Sequence, residues 1–199
     1  MAIFLDITTE TVGETQLMGE LFATILRSGD LVLLIGDLGA GKTTFTSGIV
    51  KKLCPNEQVT SPTFTLMHHY EGQIDILHID LWRLDEDKDI LDLGVWEYLD
   101  QGAVALVEWG DKAKELLGTP RFLVNFRLLP DGEETRRQAL FFAVTDESKT
   151  EDMAAAYGVI EAYDTLGPIV SNSKYDVRLT AFRDLLRDKG ISVSEREAL

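Results

Sequence analysis

At 199 residues the chain is long enough for one well-buried α/β domain with residues left over. A hydrophobic fraction of 45% beside a charged fraction of 27% excludes wholesale disorder. Lys+Arg 19 against Asp+Glu 34 leaves −15, which argues against strong direct nucleic-acid binding and favours a basic protein surface as partner.

The single cysteine, Cys54, cannot close an internal disulfide, and no group of Cys and His has zinc spacing. His68, His69 and His78 read as ordinary strand or loop residues. No apolar run approaches the roughly 20 residues that span a bilayer. No basic region precedes the short apolar stretch after Met1, so a secretory leader is not expected and a cytoplasmic protein without membrane contact is.

Leu17, Met18, Leu21, Phe22, Ile25 and Leu26 recur at threes and fours, predicting a helix that Ser28-Gly29-Asp30 stops. Leu31 to Ile35 is a continuous apolar run of the kind buried on both faces of a parallel sheet. A second helix is expected from Lys42 to Leu53. Phe64 to Met67 and Ile74 to Ile79 predict an antiparallel pair around Glu71-Gly72. A helix around Leu93 to Leu99 leads to another apolar strand, Ala103 to Val107. Strands at Phe122 to Leu128 and Ala139 to Val144 flank the turn Pro130-Asp131-Gly132.

This alternation predicts an α/β fold of P-loop NTPase type: a mostly parallel central sheet flanked by helices, with an added antiparallel strand pair. The division expected is a nucleotide-binding domain over 1–145, a polar linker at 146–152 and a helical C-terminal extension over 153–199. Helices in that extension are expected at Met153 to Leu166 and Tyr175 to Lys189.

Between the first buried strand and the second helix lies Gly36-Asp37-Leu38-Gly39-Ala40-Gly41-Lys42-Thr43, which fits G-x-x-x-x-G-K-[ST] at every position. Glycines let the backbone curl so that successive N–H groups face phosphate oxygens. The helix N-terminus adds partial positive charge at the same place. Lys42 is then expected on the β- and γ-phosphates, the Thr43 hydroxyl on Mg²⁺ and Thr44 beside the α-phosphate. The metal needs a carboxylate at the end of a neighbouring strand. Asp80 and Glu108 both qualify if their strands run parallel to the first. Ser61-Pro62-Thr63-Phe64 has the character of a switch segment whose Thr63 senses the γ-phosphate. Trp109 is either a core aromatic or a lid.

Four blocks in order carry a resemblance: Gly36 to Thr44, Ser61 to Leu66, His78-Ile79-Asp80-Leu81-Trp82-Arg83-Leu84, and Val107-Glu108-Trp109. Together they resemble the TsaE family of tRNA threonylcarbamoyladenosine biosynthesis ATPases over roughly residues 8 to 140. Trp82 departs from the family's more frequent tyrosine.

The resemblance implies a slow, Mg²⁺-dependent ATPase that acts on a complex of TsaD-like and TsaB-like proteins. Such a protein is required for threonylcarbamoyl modification of the adenosine beside the anticodon, without transferring the group. It implies that Lys42 and Thr43 hold phosphate and Mg²⁺, that Glu108 is the other metal-side carboxylate, and that Thr63 belongs to the switch. It further implies that Asp80 and Trp109 serve turnover and that Thr11 and Asp111 touch the nucleotide away from the phosphates. Two other readings stay open on the residues alone: a P-loop kinase acting on a small metabolite, and a nucleotide-gated binding module with negligible turnover.

Overall fold

The computed structural model describes residues 3–60, 62, 64–84, 87–113, 116–129, 135–144 and 177–197. In chain order these form β1 (Ile3–Thr9), α1 (Val12–Ala23), β2 (Leu31–Ile35), α2 (Lys42–Leu53), β3 (Met67–Tyr70) and β4 (Ile76–Asp80). There follow α3 (Asp87–Leu91), α4 (Val95–Asp100), β5 (Val104–Glu108), a 3₁₀ turn (Gly110–Ala113), β6 (Phe122–Leu128), β7 (Arg137–Ala143), α5 (Val177–Asp188) and β8 (Ser192–Glu197). Thr63, the turn at 130–132, the linker 146–152 and the helix expected at 153–166 lie outside the described residues.

The strands make one eight-stranded sheet in the order β3-β4-β5-β2-β6-β7-β1-β8. The central four, β4, β5, β2 and β6, are parallel, and the outer pairings are antiparallel. All five residues of β4 and of β5 are buried, as the continuous apolar run of β5 requires of a strand covered on both faces. On one face, Val32, Leu34, Val104, Leu106 and Phe122 pack under α1 and α2 with Phe22, Phe45 and Ile49. On the other, Leu31, Leu33, Leu77, Ile79, Ala105 and Val107 pack against Ile90, Val95, Leu99 and Ala113. The helices α1 and α2 cross with their backbones in contact. A Cβ on Gly19 would fall 2.1 Å from Phe45 O and one on Gly48 2.0 Å from Gln16 O, so no side chain fits at either position.

Three elements differ from the sequence expectation. The antiparallel pair begins at Met67 rather than Phe64, because Leu66 takes a left-handed turn (φ 65°) and its N–H bonds to Pro62 O at 2.6 Å. Phe64 is left 81% exposed. Residues Ile3–Thr9, read above only for a leader, form β1 with Leu5 and Ile7 in the core. The end of the chain, expected to be helical, instead forms the strand β8 along the edge of β1. Its sequence Ser192-Val193-Ser194-Glu195 offers one apolar residue, so it is the open hydrogen-bonding edge of β1 that makes it a strand.

The helix expected near residues 175–189 is present as α5. Its Leu179, Phe182 and Leu186 enter the same apolar cluster as α1 and α2. Arg178 forks onto Asp30 at 2.5 and 3.1 Å, with both side chains buried, and also donates to Ile25 O. Among the described residues no helix is long and apolar enough to cross a membrane.

Candidate functional site

Parallel pairing brings three strand ends to one edge of the sheet. Leu34 of β2 is in register with Glu108 of β5, and Glu108 with Asp80 of β4. The loop Gly36–Gly41 leaves β2 at this edge, where open α/β sheets place their ligands. Gly36 has φ 132°, and a Cβ there would sit 2.2 Å from Phe126 O, so the first residue of the loop has to be glycine. At the far end Gly41, with φ 109°, is the N-cap of α2 and makes no side-chain cap bond. The first-turn N–H groups of α2 therefore face the loop.

Leu38, Gly39, Ala40, Gly41, Lys42, Thr43, Thr44, Asp80, Trp82, Glu108 and Trp109 line a single cleft. A larger cavity of about 390 Å³, lined by Gly29, Trp96 and Arg121 among others, lies at the opposite ends of β2 and β6 and shares none of these residues. The cleft is the better candidate, because the charged and hydroxyl side chains converge there. Among the described residues none that lines it is an arginine.

Lys42 is only 4% exposed. Its Nζ donates to Gly36 O at 2.5 Å and Asp37 O at 2.8 Å, and sits 4.2 Å from the centre of the Trp109 ring. Burial pulls its pKa below the ordinary 10.5, while the charges of Glu108, Asp80, Asp37 and Asp111 oppose that shift. The indole reaches this place because Trp109 adopts φ 58°, a left-handed conformation uncommon for any residue but glycine. Trp82 packs against it, with ring centroids 4.5 Å apart and the planes tilted by 42°.

Glu108 is buried and tied to the loop. The Thr43 hydroxyl donates to its Oε1 at 2.8 Å and lies 3.0 Å from Oε2. Asp80, 5% exposed, accepts the Trp82 N–H at 2.9 Å through Oδ1. Among the described residues no group of three or more His, Cys, Asp and Glu could hold a metal unaided. A hydroxyl, a carboxylate bonded to it and a second carboxylate in register are nonetheless hard oxygen donors. They suit Mg²⁺, which keeps several waters and shares substrate phosphates in place of a full protein cage.

The match to the family model described as "Threonylcarbamoyl adenosine biosynthesis protein TsaE" runs over residues 9–139, which includes every element of this cleft. The chain belongs to the TsaE family. It is 39% identical over 145 residues to the tRNA threonylcarbamoyladenosine biosynthesis protein TsaE of Rickettsia felis, covering 72% of this chain and 82% of that one. The protein of the same name from Bacillus subtilis is 38% identical over 132 residues, 66% of this chain and 80% of its own. The crystal structure of Bacillus subtilis YdiB superposes with a TM-score of 0.61 at 29% identity, covering 79% of this chain and 97% of that one. The fold is that of a P-loop NTPase, with mostly parallel central strands flanked by helices.

Two residues read from the TsaE resemblance stand apart from the cleft lining. Thr11 caps α1, its hydroxyl accepting the Glu14 N–H at 3.1 Å. Asp111 lies exposed in the 3₁₀ turn and acts on Lys42 through its charge. Four residues that sequence reasoning left without a role here take part. His78 Nε2 lies 2.8 Å from Glu108 Oε1. Trp82 packs its ring against Trp109 and holds Asp80 through its backbone N–H. Arg137 Nε donates to Gly39 O at 3.1 Å, and Lys112 Nζ donates to Trp82 O and Leu84 O. His78 and Asp80 alternate with the apolar Leu77 and Ile79 in β4, a period-two signal that the two share a face of the sheet.

Proposed function

We propose that this protein binds Mg²⁺·ATP on Gly36–Thr44, hydrolyses it, and serves tRNA threonylcarbamoyladenosine biosynthesis by acting on TsaD-like and TsaB-like partner proteins. The observation that carries the reading is the Thr43–Glu108 contact at 2.8 Å, made at the foot of the glycine loop. That pair joins the loop hydroxyl to a strand-end carboxylate, the two protein oxygens a P-loop NTPase presents to magnesium. When bound there, the ion would neutralise charge on the β- and γ-phosphates.

The chain's own residues account for the rest. The loop N–H groups and the N-terminus of α2 receive phosphate oxygens. Lys42 exchanges the carbonyls of Gly36 and Asp37 for the β- and γ-phosphates. Asp80 orients the attacking water, which forms the new bond to γ-phosphorus as the bond to the β–γ bridging oxygen breaks. ADP and phosphate leave, and the water's proton passes to solvent by way of the carboxylate. The paired indoles of Trp82 and Trp109 narrow the mouth of the cleft and keep bulk water from it.

The net charge of −15 supports docking on protein in preference to tRNA. Phosphate release measured with and without the two partner proteins tests the reading. Wild type should release phosphate with no metabolite acceptor present and do so faster with partners. Asp80→Asn should bind ATP as wild type does yet turn over roughly a hundredfold more slowly, within the ordinary range for loss of a water-positioning group. Full turnover by Asp80→Asn, or phosphate appearing only on an added acceptor, would contradict it.

A further inference from the structure

Behind Glu108 stands a side chain for which the nucleotide reading has no use. His78 is fully buried on β4, on the α2 side of the sheet with Ile76 and Leu106, and is flanked by apolar residues in the core. A buried imidazole in such a place costs free energy unless its nitrogens are satisfied. One is: Nε2 lies 2.8 Å from Glu108 Oε1. The other, Nδ1, has no hydrogen-bond partner among the described residues. With no acceptor in reach of Nδ1, the ring proton belongs on Nε2, and Nε2–H donates to the carboxylate.

Glu108 therefore receives two donors on the same oxygen, one from α2 and one from β4. The Thr43 hydroxyl approaches from the loop, and the His78 ring approaches from within the sheet. The Thr43 hydroxyl has one proton and lies within 3.0 Å of both oxygens, so on its own it serves more than one setting of the carboxylate's last torsion. The imidazole removes that freedom. It is rigid, it sits on a fully buried strand, and its distance from Glu108 is set by the β4–β5 register.

We propose that His78 is a positioning residue that locks the Glu108 carboxylate in the rotamer facing Thr43 and the glycine loop. This rests on the reading of the cleft as a Mg²⁺·nucleotide site, and it adds a residue which that reading does not require. Partners that orient a ligand from behind typically change metal affinity or activity on the order of 10–100-fold when removed.

The test compares wild type with His78→Phe, which keeps an aromatic ring but no donor, and His78→Gln, whose amide nitrogen reaches about as far as Nε2. Nitrogen-15 NMR on the nucleotide-free protein reads the tautomer of the three histidines directly. Manganese EPR on the ATP-loaded protein reads metal affinity apart from turnover. Expected are an Nε2–H tautomer at His78, a loss of manganese affinity of roughly tenfold or more in His78→Phe, and recovery of most of it in His78→Gln. His78 protonated at Nδ1, His78→Phe matching wild type, or His78→Gln falling as far as His78→Phe would overturn the proposal. If wild type itself bound no metal with ATP, the nucleotide reading would fail, while the NMR signature would still decide whether His78 holds Glu108.

Discussion

Phe182→Ala removes a fully buried ring of α5 that lies 160 positions along the chain from Phe22 and 41 from Phe141, the two rings it packs against. Its centroid lies 5.2 Å from Phe22 and 5.1 Å from Phe141, both themselves buried. Phe22 in turn touches Phe45 and Phe122, so this one position closes the cluster under α1 and α2. Such a truncation costs about 3–5 kcal/mol through lost transfer energy and the cavity left behind. At about 2–4 °C per kcal/mol for a chain of this size, the midpoint should fall by roughly 6–20 °C. Urea unfolding should show an unchanged slope with a lower midpoint. Val177→Ala on the same helix, where the side chain is 76% exposed, should stay within about 0.5 kcal/mol of wild type. A loss below about 1 kcal/mol for Phe182→Ala would refute the claim that α5 completes the core.

The remaining predictions concern buried charge and reactivity. Arg178→Met leaves Asp30 buried with the Arg27 N–H as a remaining donor at 2.8 Å, and should destabilise by about 3–5 kcal/mol in the same urea assay, with Asp30→Asn in that background restoring part of it. Burial holds the Lys42 ammonium below its ordinary 10.5, and a bound triphosphate would raise it, so the complex binds more protons than the free protein in the alkaline window below that value. Nucleotide affinity should therefore fall as pH rises through that window. Calorimetry in buffers of different ionisation heat should register proton uptake; proton release would contradict the sign. Burial, then the charges of Asp75 and Glu57, raise the Cys54 thiol from 9.0 to about 11, which cuts its thiolate fraction about a hundredfold. A disulfide reagent at pH 8 should label it slowly in the native protein and fast in urea.

The site was legible in the sequence wherever its chemistry is local. Gly36 to Thr43 are contiguous, and the glycine at position 36 is demanded by its own φ and by Phe126 O. Asp80 and Glu108 could be read because each ends an apolar run, and the parallel register of β4 and β5 sets them side by side. His78 could not be assigned, since its partner lies 30 residues away across a strand pairing and an imidazole on an apolar strand looks like any other buried one. The left-handed turn at Trp109 leaves no mark in residue type, so the choice between core aromatic and lid needed the structure.

The same logic governs the fold. Helices α1 and α2 and the strands β2 and β5 announced themselves by local periodicity and continuous apolar runs. The strands β1 and β8 did not, because Ile3–Thr9 and Ser192–Glu197 become strands only by pairing with each other and with β7. The ion pair between Arg178 and Asp30 spans 148 positions, and nothing near either residue signals the other.

Calorimetric titration with Mg²⁺·ATP tests the central claim most directly. Wild type should bind one nucleotide per chain, and folded Lys42→Ala, lacking the ammonium that sits between the loop carbonyls and Trp109, should lose most of that affinity. No heat from wild type, or equal affinity in Lys42→Ala, would contradict the account.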